Sequence, residues 1–197
     1  MESIFANDVM LVRERVGFLK AANAYDLFNQ QGQKIGEVVE NIPNFFVKML
    51  KFTKWKTMLP YTVHFYDGSR NTLLTIRRPF TFIRSNISVY NNDGRPLGMY
   101  RQKFRLLKPE FHLFDPNGDL FASLKGDWKG WNFTLEDRNG VELARVTKKW
   151  AGIAKELFTS ADNYVISISK PDIPEDLRKV IFAAGIGIDM SLKEKGR

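Results

Sequence analysis

The segment Leu177–Leu192 is the most apolar stretch of this 197-residue chain and constrains the fold more than any other feature. Residues 174–176, a proline followed by two acids, are typical of the first turn of a helix. The centre of the segment, Val180–Ile188, is apolar on all sides, which predicts a helix surrounded by protein or by lipid. A membrane-spanning helix needs about 20 apolar residues, and this run is shorter and carries Asp189 near its end. We therefore predict a helix over 175–192 enclosed by the rest of the fold, with a bilayer-inserting helix as the alternative.

A repeated motif predicts what encloses the helix. Each copy has Asn or Asp, two residues, Gly, two residues, an apolar residue, and then Gly or Ala, with an apolar or alternating run on either side. Glycine supplies a positive φ and the Asn or Asp side chain bonds to the turn backbone, so the motif predicts β-hairpins. The copies begin at Asn29, Asn91, Asp115 and Asp137. Residues Tyr66–Ser69 predict a fifth hairpin with a different turn. Antiparallel hairpins in series predict a β-barrel or sandwich.

Composition bounds the class of protein. A chain of this length can bury one sizeable core, so we expect a single domain over residues 1–197. The absence of cysteine excludes disulfides, thiolate metal sites and a cysteine nucleophile, and suits a reducing compartment. Residues 1–22 lack the uninterrupted apolar stretch of a signal peptide. We therefore expect a cytoplasmic location.

Positive charge is concentrated in one third of the chain. Residues 41–109 hold thirteen Lys or Arg against two Asp, a net charge of +11 within a total of +8. The rest of the chain therefore sums to −3. Such clustering predicts a polarised surface and a polyanionic partner, either anionic phospholipid or nucleic acid. The alternative is a scattered solubilising surface.

The segment Ile42–Leu59 departs from the strand pattern. At helical spacing Phe45, Phe46 and two further apolar residues share one face, and lysines take the other. An aromatic face opposite lysines is typical of a helix in a membrane interface, and we predict that Phe45, Phe46 and Trp55 contact the membrane there. The alternative is a short helix that covers an open end of the barrel.

The hairpins, the stretch Ala161–Ile166 and the helix with Gly185 and Asp189 resemble the phospholipid scramblase family. More broadly, the chain is similar to the tubby-like barrel superfamily, which includes the plant LURP-one-related proteins. The resemblance covers about residues 8–192. It implies a mainly β fold, a closed barrel of about twelve strands threaded by the C-terminal helix.

The resemblance also implies calcium binding through an acidic loop just before the helix. Here Ser160 stands where the family has an acid, and Asp162 alone is carried over as a metal ligand. Calcium prefers six or more oxygen ligands, so we expect no bound cofactor and no calcium dependence. The cysteine cluster and the proline-rich extension of the animal proteins are absent, which suggests a member reduced to the barrel.

Catalytic chemistry is not indicated. His64 and His112 fall in strand-like runs, and two isolated histidines supply neither a multi-histidine metal site nor an acid–base pair. Asp115–Asp119 resembles part of a calcium loop but lacks the distal Glu, so a turn is expected. We find no phosphate-binding glycine loop and no nucleophile elbow, and expect a protein that is not an enzyme.

The sequence therefore predicts a protein, peripheral to a membrane, that binds anionic phospholipid headgroups. Arginine suits bidentate phosphate contacts and lysine suits diffuse attraction. The predicted headgroup residues are Lys48, Lys51, Lys54, Lys56, Arg77, Arg78, Arg84, Arg101, Lys103 and Arg105. One alternative is a phospholipid transporter that inserts into the bilayer. A second is a nucleic-acid-binding regulator, since basic strands with aromatic residues also bind single strands.

Overall fold

The computed structural model describes residues 3–15, 22–42, 58–80, 86–103, 110–127, 130–148 and 163–194. Within them, twelve β-strands and one α-helix follow a 3₁₀ helix at Ile4–Ala6. The strands are β1 (Val9–Glu14), β2 (Ala24–Phe28), β3 (Lys34–Asn41), β4 (Tyr61–Asp67), β5 (Thr72–Arg78), β6 (Asn86–Asn91), β7 (Pro96–Lys103), β8 (Glu110–Phe114), β9 (Leu120–Asp127), β10 (Asn132–Glu136), β11 (Glu142–Thr147) and β12 (Asn163–Ile168). The helix is α1 (Glu175–Glu194).

The strands form one closed antiparallel barrel. Each strand pairs with its neighbours in the chain, and β1 pairs with β12 to complete the ring, with Leu11 opposite Val165. Successive side chains of a strand point to opposite faces, so Val63 and Phe65 of β4 lie in the core and His64 lies outside. The predicted mainly β barrel of about twelve strands is confirmed.

Five hairpin turns share one geometry. In four of them a glycine three residues after the Asn or Asp has a φ between 77° and 87°. The prediction of a different turn after β4 is wrong: Arg70 takes the glycine position with a φ of 65°, and its amide donates to the Asp67 carbonyl at 3.0 Å. As in the other four turns, the side chain of the first residue accepts two backbone hydrogen bonds: the Asp67 carboxylate accepts from the amides of Ser69 and Asn71, each at 2.8 Å.

Helix α1 runs through the barrel interior, and every residue from Val180 to Ser191 is buried. The prediction of an enclosed central helix is confirmed. Two glycines bring the helix close to the wall, because a Cβ on Gly187 would lie 2.1 Å from the Tyr100 hydroxyl oxygen. Towards the end of the helix, Tyr25 donates its hydroxyl hydrogen to Asp189 Oδ2 at 2.8 Å. No helix in the described part of the chain is both long and apolar enough to cross a bilayer.

The N-terminal segment covers the barrel where α1 begins. Phe5 is fully buried, with its ring centroid 6.2 Å from that of Phe65 and 6.0 Å from that of Phe182. The buried guanidinium of Arg178 donates to the carbonyls of residues 5–7 at 2.8 to 3.2 Å and to Asp8 at 2.8 Å. These bonds join the first described residues to the last element of the fold.

Candidate functional site

The two ends of the barrel differ in loop length and charge. The even-numbered strands all end, and α1 begins, at what we call the turn end; the odd-numbered strands end at what we call the connection end. The strands are joined at the connection end by residues 15–23, 42–60, 79–85, 104–109, 128–131 and 148–162. These stretches contain thirteen basic and two acidic residues, whereas the six stretches of four to six residues at the turn end contain four basic and five acidic. The positive excess therefore belongs to the connection end.

A cleft of about 390 Å³ opens on the outer face of β4, β5 and β6 near the connection end. Its lining includes four outward-facing side chains with hydrogen-bond donors. They are Thr62, Arg77, Ser88 and Tyr90. The strand pairing places Arg77 directly between Thr62 and Ser88. The cleft thus presents one guanidinium among three hydroxyl groups.

Two adjacent arginines at the end of β5 have different environments. Arg77 is exposed, and its guanidinium carbon lies 5.3 Å from the centre of the Tyr90 ring. Arg78 is 3% exposed, stacks over Tyr61 at 4.3 Å and donates to the Leu59 carbonyl through Nη2 at 2.7 Å. Arg77 is therefore available to a ligand, and Arg78 fixes the chain that enters β4.

Arg101 and Lys103 extend the basic surface across the next strands. Arg101 lies opposite Asn86 of β6, donates through Nε to its Oδ1 at 2.8 Å, and has its guanidinium carbon 5.2 Å from the centre of the Phe114 ring. Arg77 is aligned through Ser88 with Met99, so Arg101 lies two strands and two residues away, and the two backbones are about 12 Å apart at the usual strand dimensions. Lys103 is exposed at the end of β7.

The other predicted site residues lie outside the described part of the chain. They are Lys48, Lys51, Lys54, Lys56, Arg84, Arg105, Phe45, Phe46, Trp55 and Asp162. The segment Ile42–Leu59 is described only at its two ends, and the strands β3 and β4 that flank it both meet the connection end. Headgroup and membrane contacts by these residues stay predictions.

Both histidines lie on the outer face of the barrel. His64 Nδ1 is 3.1 Å from Thr75 Oγ1; burial, followed by the positive charge of Arg77, lowers the pKa of His64. His112 Nε2 is 2.9 Å from Glu110 Oε1. Among the described residues, no group of three or more His, Asp or Glu side chains could hold a metal ion.

Sequence reasoning missed the hydroxyl groups around Arg77. Thr62, Ser88 and Tyr90 come from two strands that do not neighbour each other, and only the pairing of both with β5 brings them together. The alternation of Ser88 and Tyr90 with core residues does predict that both face outward. It does not predict which strand lies beside them.

Comparison with known proteins assigns the family. A family model described as Scramblase matches residues 3–195. The chain belongs to the scramblase family. It is 23% identical to the Saccharomyces cerevisiae altered inheritance rate of mitochondria protein 25, over 95% of this chain and 71% of that protein. It is also 23% identical to human phospholipid scramblase family member 5, over 95% of this chain and 73% of that protein.

A third relative and one solved structure complete the comparison. A Schizosaccharomyces pombe phospholipid scramblase family protein is 24% identical over 83% of this scramblase-family chain, and the alignment spans 46% of that protein's length. A solved structure of an Arabidopsis thaliana protein aligns with a TM-score of 0.49 at 12% identity, covering 92% of this chain and 91% of that one.

Proposed function

We propose that this scramblase-family chain is a non-enzymatic protein that binds anionic phospholipid headgroups at a cytoplasmic membrane surface. The observation that carries the proposal is the Arg77 cleft, which opens beside the end of the barrel where the basic connections meet. The relatives named as phospholipid scramblase family proteins support a phospholipid as partner.

The chemistry of the cleft suits a phosphate group. The planar guanidinium of Arg77 can donate two parallel hydrogen bonds to phosphate oxygens, and the hydroxyls of Thr62, Ser88 and Tyr90 can donate to the remaining ones. Each Lys or Arg near an anionic bilayer contributes about 1 kcal/mol of attraction, which decays within a Debye length. The connections therefore supply long-range attraction, and the cleft supplies the specific contact.

A second candidate function is movement of phospholipid between leaflets, which the names of the relatives favour. It requires a polar path through the bilayer. In the fold described above, α1 is enclosed by the barrel, so this function requires the helix to leave the interior or the wall to contact lipid. Translocation of a labelled lipid across reconstituted vesicles tests it.

Vesicle binding tests the proposed function. The protein is titrated with phosphatidylcholine vesicles that contain or lack phosphatidylserine, at low and at physiological salt. Replacing Arg77 by Gln should weaken binding to the anionic vesicles about fivefold at low salt, the equivalent of one lost charge contact. The matched control is Arg145→Gln, an exposed arginine of β11 that pairs with Glu142, which should leave binding almost unchanged.

Two results would contradict the proposal. One is equal binding of the parent to neutral and anionic vesicles. The other is tighter binding to a single-stranded oligonucleotide than to anionic vesicles at the same salt, together with an Arg77→Gln variant that loses affinity for the oligonucleotide but not for the vesicles. That second result would favour a nucleic-acid partner instead, through the arginine–aromatic pairs of the wall.

A further inference from the structure

A second group of cations lies on the outer face of β1, β2 and β3, away from the Arg77 cleft. Four basic side chains surround two buried carboxylates. We call this group the β1–β3 cluster; its members are Arg13, Arg15, Lys34, Arg70, Asp26 and Glu37. All four bases lie outside the set of predicted headgroup residues.

Asp26 sits under three of the cations. Lys34 Nζ lies 2.7 Å from its Oδ1, Arg15 Nη2 lies 2.5 Å from the same oxygen, and Arg13 Nη2 lies 3.3 Å from Oδ2. Burial by itself would raise the pKa of Asp26, but these hydrogen bonds outweigh it and hold the pKa well below its usual range. The carboxylate therefore stays ionised and fixes the position of three cationic groups.

The Glu37 carboxylate accepts hydrogen bonds from two arginines, Arg15 and Arg70. Arg15 donates to Oε2, and Arg70 donates to Oε1 through Nε at 3.2 Å and Nη2 at 2.8 Å. The hydrogen bonds from Arg15, followed by those from Arg70, lower the pKa of Glu37. Four positive and two negative charges leave an excess of +2.

That excess faces solvent. Asp26 and Glu37 are 6% and 8% exposed, whereas the side chain of Arg70 is 77% exposed and that of Lys34 is 47% exposed. An arginine has five N–H donors; among the described residues Arg13 donates to Asp26 through Nη2, and its guanidinium carbon lies 4.7 Å from the centre of the Phe28 ring, which leaves the edge of the group open to solvent. The cluster therefore holds cations in fixed positions with donor capacity left on the outside.

The backbone at Arg70 supplies independent support. Four equivalent turns have glycine at this left-handed position, and Arg70 alone holds it with a side chain, at a φ of 65°. Non-glycine residues in this region are strained, and such strain tends to be found where a side chain is used. The Arg70 side chain is 77% exposed, and an ion pair made by so exposed a side chain contributes little stability, so the bond to Glu37 is a weak reason to keep arginine there.

We propose that the β1–β3 cluster binds a phosphomonoester dianion, with Arg70 and Arg13 as the outer contacts and Asp26 and Glu37 as the residues that hold the cations in place. The excess of +2 matches the charge of such a group, and arginine forks fit its oxygens. The group could be carried by a soluble small molecule or by a phosphatidic acid headgroup. The site is separate from the Arg77 cleft and does not depend on the proposed function.

The test uses Arg70→Gly, which restores the residue found in the other four turns. Isothermal titration with inorganic phosphate as the soluble probe, at a pH at which it is mainly the dianion, is run on the parent, on Arg70→Gly and on the control Arg145→Gln. We expect one site per chain, with affinity about tenfold lower in Arg70→Gly, in keeping with the loss of a charge-assisted hydrogen bond, and unchanged in the control. The melting temperature of Arg70→Gly should not fall, because the backbone strain is removed.

A second arm distinguishes the source of the phosphate. Vesicles of phosphatidylcholine with phosphatidic acid replace inorganic phosphate, and Arg70→Gly is compared with the parent. Weaker binding to these vesicles alone supports a lipid source, and weaker binding to inorganic phosphate alone supports a soluble one. If Arg70→Gly matches the parent in both arms, or if it loses thermal stability without losing either affinity, the cluster is a stabilising ion network and the proposal is wrong.

Discussion

Asp26 and Glu37 are two carboxylates whose ionisation is linked to the folding of the barrel wall. Their hydrogen bonds to Arg15, Lys34 and Arg70 exist only when β1, β2 and β3 are paired with their neighbours. In the unfolded chain an Asp titrates with a pKa of about 3.9 and a Glu with a pKa of about 4.3. Folding therefore lowers both pKa values, and the folded state binds fewer protons than the unfolded state in the acid range.

The lowered pKa values of Asp26 and Glu37 make the folded protein less stable at acid pH. A lowered folded-state pKa contributes stability above the unfolded pKa, and this stability is lost as pH falls through the acid range. We expect the urea midpoint to fall steadily below about pH 5, by the linkage given above, and Asp26→Asn to make this fall shallower. At pH 7 the same variant should lose about 1–3 kcal/mol, because Asn replaces a buried carboxylate that accepts hydrogen bonds from three cationic side chains.

Urea unfolding of the parent and of Asp26→Asn between neutral and acid pH measures both quantities. Midpoints that decline in parallel for the two proteins would show that Asp26 is not linked to folding in this way.

Adjacent arginines show the limit of sequence reasoning at this scale. Arg77 and Arg78 were both predicted as headgroup residues, and strand alternation requires that only one of them faces outward. The alternation from Leu74 and Ile76 favours Arg77 as the outward residue, but the sequence alone does not show that the strand continues through Arg78, because Pro79 follows directly. The structure places Arg77 outside and Arg78 inside, against Tyr61. The basic cluster of Arg13, Lys34 and Arg70 was missed because its members are spread over 58 positions of the chain.

At the scale of elements, α1 depends on its two interior glycines. A Cβ on Gly187 would lie 2.1 Å from the hydroxyl oxygen and 2.6 Å from the ring carbon of the buried Tyr100. A Cβ on Gly185 would instead meet Cδ1 of Ile166 at 2.4 Å, the end of a flexible side chain. The Tyr100 ring beside Gly187 is rigid, whereas the Ile166 side chain beside Gly185 can change its rotamer.

This difference predicts an order of stability. Gly187→Ala should destabilise the protein by about 1–3 kcal/mol through overpacking, which exceeds the helix-propensity gain of about 1 kcal/mol. Gly185→Ala is the matched control in the same helix and should cost less. Guanidinium unfolding of both variants measures the difference, and a larger loss for Gly185→Ala would show that Tyr100 yields more easily than the packing indicates.

The helix was predictable because its apolar residues surround its axis, and the hairpins were predictable from the spacing of Asn or Asp and Gly. The turn at Asp67 was harder because Arg70 replaces the glycine that marks the others. The sequence pattern contains the residue that a turn prefers, which is glycine. The same turn also forms with Arg70 at that position, where the amides of Ser69 and Asn71 donate to the Asp67 carboxylate.

For the whole molecule, closure of the barrel places the positive charge that is clustered in the sequence at one end of the fold. Because the strands alternate in direction around the ring, the odd-numbered strands, which the basic connections follow in the chain, all end at one end of the barrel, and the tight turns lie at the other end. The clustering of charge was visible in the sequence, whereas closure of the barrel was expected only from the family resemblance, since the paired strands β1 and β12 are about 150 residues apart. We expect the barrel to approach a membrane with its connection end.

Vesicle binding by a variant that lacks four lysines of the connection end tests this orientation most directly. It also tests the central claim, which is that the protein binds anionic headgroups. Lys48, Lys51, Lys54 and Lys56 are replaced together by Gln, and the control carries Arg138→Gln and Lys170→Gln at the turn end. The quadruple variant should bind phosphatidylserine vesicles up to about three orders of magnitude more weakly than the parent at low salt, less at physiological salt, with the fold retained. The control should bind almost as the parent does. Equal binding by the quadruple variant and the parent, or an equal loss in the turn-end control, would contradict headgroup binding through the connection end.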